Sequence, residues 1–155
     1  MAAGALGLPM AGYTGVLLGA TAQPAWWHAR RWLPRLFVAP AASAGAGALE
    51  LVPMSPDEER AVRSLAIGAR AADLVVAKAM THDLADTRAA GAYEDGRAGR
   101  RMKLAEALTA GSLAASLLSS RFRAACPLAG SLALAGSLAT RFAVMDAGAA
   151  SVEPA

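Results

Sequence analysis

The sequence predicts an all-α integral membrane protein with about five transmembrane helices. Its 155 residues are 55% hydrophobic and 17% charged, whereas soluble domains average about 45–50% apolar and about 25% charged residues. Long apolar stretches separate the charged residues, and the basic residues concentrate in alternate loops. Much of the apolar content is alanine and glycine, which contribute little to membrane insertion, so the prediction depends on this distribution rather than on the total.

The first predicted span covers residues 3–25. No Asp, Glu, Lys or Arg occurs from Met1 to Trp27, and at about 1.5 Å per residue this stretch can cross a hydrocarbon core of about 30 Å. A cleavable signal peptide would have a basic segment before its apolar stretch, and none precedes this one. We therefore expect the first residues to form a transmembrane segment of the kind found in the interior of a membrane protein sequence.

The second predicted span, residues 34–54, carries one charged residue after Arg35, namely Glu50. The stretch "HARRWLPRLF" leads into it, and such a mixture of basic and aromatic residues is typical of a lipid headgroup interface. We expect Trp26, Trp27 and Trp32 to belong to this interfacial belt.

The third predicted span, residues 60–81, is interrupted by charged residues. At about 100° per residue its polar side chains fall within one half of a helix, and small or aliphatic residues fall on the other half. The polar set is Arg63, Arg70, Asp73, Lys78 and His82. The segment is either a span whose polar side faces other helices or an amphipathic helix on the membrane surface. The small residues on its apolar side favour the span.

The fourth and fifth predicted spans are residues 103–120 and 124–145. A polar loop with three glycines precedes the fourth span, in which Glu106 is the one charged residue after Lys103, and the fifth is free of charge until Arg141. Together the five spans form a single transmembrane domain over residues 1–155.

The positive-inside rule orients these spans. The loops 28–35 and 81–103 contain three and five Lys or Arg residues, whereas the segments 53–63 and 120–123 contain two each. This ratio of eight to four predicts an N-terminus outside and a C-terminus in the cytoplasm.

Other classes of function lack their usual sequence signals. The net charge is +3, but the basic residues do not interleave with aromatic residues as in a nucleic-acid binding groove. Cys126 is the only cysteine, so it cannot form a disulfide bond within this chain or a CxxC metal site. We interpret it as a small buried hydrophobic residue. His28 and His82 do not have the spacing of a bis-histidine haem site. We expect no haem, metal, catalytic residue or nucleic-acid partner.

Charged residues inside the membrane are costly, so they usually pair or face a polar path. Six candidates could line one bundle interior: Glu50, Arg70, Asp73, Glu106, Arg141 and Asp146. Arg70 and Asp73 are three residues apart and can neutralise one another. Arg141 and Asp146 are separated by about 140° of helix rotation, so each needs a partner elsewhere. Anchoring at the inner membrane surface remains an alternative for these last two.

Four stretches, taken in order, resemble the C-terminal part of the NrfD/polysulfide-reductase membrane-subunit family. They read "GYTGVLLGATAQPAWW", "LPRLFVAPAASAGAGALEL", "EDGRAGRRMKLAEALTAGS" and "GSLATRFAVMDAGAASVEP". The most specific elements are Tyr13-Thr14-Gly15, Pro24 with Trp26, Leu33-Pro34 and Thr140-Arg141-Phe142.

This resemblance implies a quinol-binding membrane subunit of a respiratory oxidoreductase in the bacterial cell membrane. Such subunits exchange electrons with an iron–sulfur subunit, bind menaquinone or ubiquinone without a covalent bond and hold no haem. Family members resemble two four-helix bundles. The chain corresponds to the last helix of the first bundle and to the whole second bundle, so we expect it to be part of a longer subunit.

The resemblance also assigns roles to residues. Tyr13 and Thr14 would offer hydroxyl groups to a quinone carbonyl. Glu50, Asp73, Arg141 and Asp146 would belong to a proton path through the second bundle, and Asp146 stands where the family usually has glutamate. Two alternatives remain: a purely structural membrane anchor for partner subunits, and a soluble alanine-rich helical bundle.

Overall fold

Helices joined by short loops account for almost all of the chain. The computed structural model describes the backbone of residues 2–87, 89–122 and 124–152, and the side chains of these residues except 2–6 and 8. Over this part of the chain there are seven helices and no strand, which confirms the all-helical class. The helices are α1 (Ala2–Gly19), α2 (Pro24–His28), α3 (Leu33–Leu49), α4 (Pro56–Leu84), α5 (Ala90–Glu94), α6 (Gly96–Leu118) and α7 (Ala125–Ala150).

The five long helices overlap the five predicted spans, and the sequence did not predict the short α2 and α5. Within the described residues, α7 is the one helix that is long and apolar enough to cross a membrane by length and composition. α4 and α6 each carry several charged residues. Five membrane spans therefore stay a prediction.

Proline explains where two helices end earlier than predicted. α1 ends at Gly19 and not at residue 25, since Pro24 cannot continue a helix and holds Gln23 in an extended conformation with ψ 124°. α3 ends at Leu49 and not at residue 54, shortly before Pro53. In both cases the next helix begins with a proline, Pro24 in α2 and Pro56 in α4.

α6 begins seven residues before the predicted start of the fourth span, at Gly96 rather than at residue 103. Gly96 has a φ of +60°, which glycine adopts without steric cost. The residues that follow include Arg97 and Lys103, which are good helix formers, so the helix begins where we predicted a polar loop. α4 begins with a capping box in which Ser55 and Glu58 each accept a hydrogen bond from the other's backbone N–H.

α3, α4, α6 and α7 form a bundle in which α7 packs against both α3 and α6. α1 lies against α3, and α2 lies near the C-terminal half of α7. α3 and α7 approach each other closely at Gly47 and Gly130, where a methyl group on Gly130 would collide with the carbonyl oxygen of Gly47. Small residues thus allow the two backbones to meet, as is common in membrane helix bundles.

The bundle has buried polar residues and exposed large apolar residues. On α4, Arg70 is 0% exposed and Asp73 is 3% exposed, whereas Leu65 and Val75 are 55% and 66% exposed. The middle of the polar half of α4, at Arg70 and Asp73, therefore packs against the other helices, whereas Lys78 and His82 are exposed. Leu117, Leu128, Leu138 and Phe142 are likewise exposed on α6 and α7.

An apolar cluster fills one end of the bundle, the end that carries the loops 28–35 and 81–103, here called the basic end. Trp26 belongs to this cluster: its side chain is buried, and its indole Nε1 donates to the carbonyl oxygen of Val144 at 2.8 Å. The prediction that Trp26 lies in an interfacial belt is wrong, because α2 turns its ring inward beneath α7. Trp27 is half exposed, and Trp32 is partly buried.

Candidate functional site

The candidate site is a set of charged and hydroxyl side chains that connects the bundle helices. At its centre, Arg70 of α4 meets Glu50, the C-cap residue that directly follows α3. Arg70 Nη1 lies 3.1 Å from Glu50 Oε1, and Arg70 Nη2 lies 2.5 Å from Glu50 Oε2. Both side chains are almost completely buried. Two parallel charge-assisted bonds of this kind fix the orientation of both partners.

The other two bundle helices complete the surroundings of this pair. Ser116 of α6 donates to Glu50 Oε1 at 3.1 Å and also bonds to Arg70. Arg70 Nη2 reaches the carbonyl oxygen of Ala129 on α7 at 3.4 Å, and Ser112 donates to the same oxygen at 2.6 Å. Four helices therefore converge on one buried ion pair.

Asp73 lies one turn beyond Arg70 but does not pair with it. Its Oδ2 accepts a hydrogen bond from Thr109 of α6 at 3.3 Å. The prediction that Arg70 and Asp73 neutralise one another is therefore wrong, since Arg70 turns toward the carboxylate of Glu50 on another helix. A narrow cavity of about 10 Å³ borders Asp73, Glu106 and Thr140, which is about the volume needed for one water molecule.

Two further ion pairs follow toward the basic end. Lys78 of α4 contacts Glu106 of α6 at 2.5 Å. Arg101 of α6 contacts Asp146 of α7 at 2.6 Å, and the Arg101 guanidinium lies 5.4 Å from the centre of the Phe142 ring. Asp146 thus has its partner on another helix and not within α7, where the sequence excluded Arg141.

Three of the predicted site residues lie outside this interior. Arg141 is exposed, and its guanidinium is 5.7 Å from the centre of the Phe37 ring. Tyr13 and Thr14 are exposed on α1, and Tyr13 is 61% exposed. The structure thus brings Glu50 and Asp73 together in the interior, places Asp146 nearer the basic end, and leaves Arg141, Tyr13 and Thr14 on the surface.

Sequence reasoning missed the hydroxyl residues of α6. Thr109, Ser112 and Ser116 recur at spacings of three and four residues, which places all three on one helix face. A repeated hydroxyl on one face of an alanine-rich helix indicates a polar contact with neighbouring helices. Arg101 was assigned to a loop, because the predicted fourth span began too late.

Two groups outside the predicted spans have shifted acidities. Burial raises the pKa of Tyr93 above its ordinary value of 10.0, and its hydroxyl donates to the carbonyl oxygen of Ala25 at 3.5 Å. Hydrogen bonds from Ser55 lower the pKa of Glu58.

Cys126 is partly buried, and its thiol donates to the carbonyl oxygen of Glu50 at 3.6 Å. Among the residues described, no three His, Cys, Asp or Glu side chains converge as metal ligands would.

Comparison with protein-family models, with curated proteins and with solved structures found no match to this chain. The resemblance to the NrfD/polysulfide-reductase family therefore stays a prediction.

Proposed function

We propose that the chain is an integral-membrane subunit of a quinone-linked oxidoreductase complex. One observation carries the membrane part: the bundle buries a bidentate ion pair and exposes leucine, valine and phenylalanine. In lipid, apolar side chains face outward at no cost, and charged groups are stable when they pair inside the protein. In water the same surface would be unfavourable, because large exposed apolar patches promote association.

The distribution of charge supports a cytoplasmic location for the basic end. Trp32 of the loop 28–35 donates to Asp83 near the end of α4, so this loop and the loop 81–103 lie at the same end. The basic residues described there are Arg30, Arg31, Arg35, Arg97, Arg100, Arg101 and Lys103. Arg88 and Arg123, which entered the sequence count, lie outside the described residues.

The quinone part of the proposal is supported by the family resemblance. Tyr13 and Thr14 lie on an open face of α1, whereas ligand sites are usually concave and enclose most of their ligand. The described residues therefore do not enclose a quinone by themselves. A second wall, from a neighbouring subunit or from another part of a longer chain, would complete such a site, and an iron–sulfur subunit would exchange its electrons.

Asp73 is the residue of the interior best suited to hold a proton. Glu50 is fixed by Arg70, and Asp146 is paired with Arg101, but Asp73 has one neutral partner, Thr109, within the described residues. The narrow cavity beside it has about the volume of one water molecule. Protons linked to quinone chemistry would bind to and leave the Asp73 carboxyl group.

Alkaline carbonate extraction of membranes tests the membrane part. The protein should stay in the membrane pellet, as an integral protein does. Release into the supernatant would contradict every membrane interpretation and leave the soluble helical bundle.

Substitution of Asp73 tests the proton role in the assembled complex. Asp73→Asn should slow quinol turnover while the complex still assembles, since an amide cannot bind and release the proton. Asp86→Asn, which changes an exposed residue near the end of α4, is the matched control and should leave turnover unchanged. Equal turnover in both variants would contradict the proton role.

A structural anchor for partner subunits is the second candidate. The observation that favours it is that Glu50, Glu106 and Asp146 each lie in an ion pair, as expected when charges only fix helix packing. Under this function Asp73→Asn would leave turnover unchanged and alter only the stability of the bundle.

A further inference from the structure

A surface groove lies between α3 and α4 at the basic end of the bundle. It has a volume of about 320 Å³ and is lined by Pro34, Arg35, Val38, Ala39 and Val76. All of these side chains except Arg35 are apolar. Val38 lies five residues after the start of α3, which places the groove about 7–8 Å along the helix from the basic end.

A cluster of exposed arginines lies at this end of the bundle: Arg35 lines the groove, and its Nη1 donates to the carbonyl oxygen of Arg31 at 3.3 Å. Arg30, Arg31 and Arg35 are exposed, and none of them forms an ion pair within the described part of the chain. The Arg30 guanidinium lies 4.3 Å from the centre of the Trp27 ring, and that of Arg35 lies 5.4 Å from the centre of the Trp32 ring. The tryptophan rings thus hold two of the cations in place.

Asp83 is the acidic residue that faces this cluster from α4. Its Oδ2 accepts the hydrogen bond from Trp32 Nε1 at 2.8 Å. Arg31 and Arg35 against one carboxylate leave this end of the groove with a positive charge, so its complement is an anion.

We propose that the groove binds an anionic phospholipid, with the phosphodiester group on Arg31 and Arg35 and an acyl chain along Val38, Ala39 and Val76. Charge complementarity selects the headgroup, and the apolar lining selects a hydrocarbon chain. An arginine beside a neutral quinone ring would gain no such charge pairing, so the combination favours a lipid over a quinone tail. This inference rests on the membrane part of the proposed function.

Tryptophan fluorescence can measure the binding. The full chain, purified in a neutral detergent, is titrated with phosphatidylglycerol or with phosphatidylcholine, each carrying brominated acyl chains that quench nearby indoles. Trp32 lies beside the mouth of the groove and reports binding. We expect phosphatidylglycerol to quench at a several-fold lower concentration than phosphatidylcholine.

Two variants test the charge contribution. Arg35→Gln should weaken phosphatidylglycerol binding about fivefold, since a basic residue near an anionic lipid contributes about 1 kcal/mol, and should leave phosphatidylcholine binding unchanged. Arg100→Gln removes an exposed arginine of α6 at the same end and should leave both unchanged. If both variants weakened phosphatidylglycerol binding equally, the lipid would be attracted only by the net charge of the protein, and the proposed site would be overturned.

Two further variants test the groove. Ala39→Phe fills it and should reduce quenching by both lipids, whereas Ala48→Phe adds the same ring at an exposed position in the last turn of α3 and should not. Displacement of the brominated lipid by menaquinone, or by inorganic phosphate alone, would overturn the lipid assignment.

Failure of this inference differs from failure of the proposed function. A protein that stays in the carbonate pellet but binds the two lipids equally contradicts the lipid site alone. A protein released by carbonate contradicts the membrane location first.

Discussion

Glu50 and Arg70 are 20 residues apart in the chain and form a bidentate ion pair where α3, α4, α6 and α7 converge. The pair joins the end of α3 to the middle of α4, so it determines how these two helices align. Removal of one partner of a buried pair leaves an uncompensated charge, and that cost exceeds the net contribution of the intact pair.

Loss of Arg70 alone should therefore strongly destabilise the bundle. We expect Arg70→Ala to lower the free energy of unfolding by about 3–5 kcal/mol, because Glu50 would remain buried without its cation. The double variant Glu50→Gln with Arg70→Met should lose less free energy of unfolding than the sum of the losses in Glu50→Gln and in Arg70→Met. Unfolding of the purified protein in detergent micelles measures all three.

The control for this prediction is an exposed pair. Arg60 and Asp57 form an ion pair in the first turns of α4, with side chains 72% and 86% exposed. Pairs of this kind contribute little to stability, so Arg60→Ala should have a small effect. Similar losses for Arg60→Ala and Arg70→Ala would contradict the central role of the buried pair.

Gly130 should tolerate no side chain. Gly130→Ala would push a methyl group into the backbone of Gly47 and separate α3 from α7, and we expect a loss of about 1–3 kcal/mol, as for other overpacked sites. Gly45 lies in α3, like Gly47, but a methyl group at Gly45 would meet open space. Gly45→Ala should therefore be neutral or stabilise the helix by about 0.5–1 kcal/mol. The same unfolding measurement compares the two variants, and equal effects would refute the close contact.

Trp26 should report on the packing of α2 against α7. Trp26→Phe removes the hydrogen bond to the carbonyl oxygen of Val144. We expect the free energy of unfolding to fall by about 1 kcal/mol for this bond, and further because the smaller ring leaves a cavity. The emission spectrum should also lose its most blue-shifted component. Trp27→Phe removes a half-exposed ring and should preserve that component, whereas the opposite result would mean that Trp26 is solvated.

Tyr93 should make the stability of the fold depend on alkaline pH. Burial raises its pKa in the folded state above the ordinary value of 10.0, so the unfolded chain ionises first. The contribution of Tyr93 to the free energy of unfolding is therefore fully present below about pH 10. Above that pH the free energy of unfolding falls by up to about 1.4 kcal/mol per pH unit. The difference in unfolding free energy between the natural protein and Tyr93→Phe should shrink between about pH 9 and pH 12. A constant difference would contradict the buried hydroxyl.

The sequence predicted the number of long helices because each apolar run is bounded by charged or helix-breaking residues. It placed the ends less well where one proline or glycine determines the boundary, as at Pro24 and Gly96. Periodicity also placed Arg70 and Asp73 on one face of α4, and both side chains are buried. These features are local, so one stretch of sequence contains the information needed to predict them.

The partners of the charged residues could not be predicted in the same way. Spacing suggested Arg70 with Asp73, but Arg70 pairs with Glu50 and Asp73 with Thr109. Such pairs depend on the rotation and depth of neighbouring helices, which follow from close contacts such as that between Gly47 and Gly130. For Asp146, the rotation argument excluded Arg141 as a partner but could not select Arg101.

The hydrogen bond between Trp26 and Val144 joins residues 118 positions apart. During synthesis at about 5–20 residues per second, roughly 6–24 s pass between the emergence of one partner and the other. Until then the indole N–H of Trp26 must bond to water, to lipid headgroups or to a chaperone. α7 therefore closes the structure around a tryptophan of α2, and the change in the environment of this tryptophan marks the moment at which the two helices pack together.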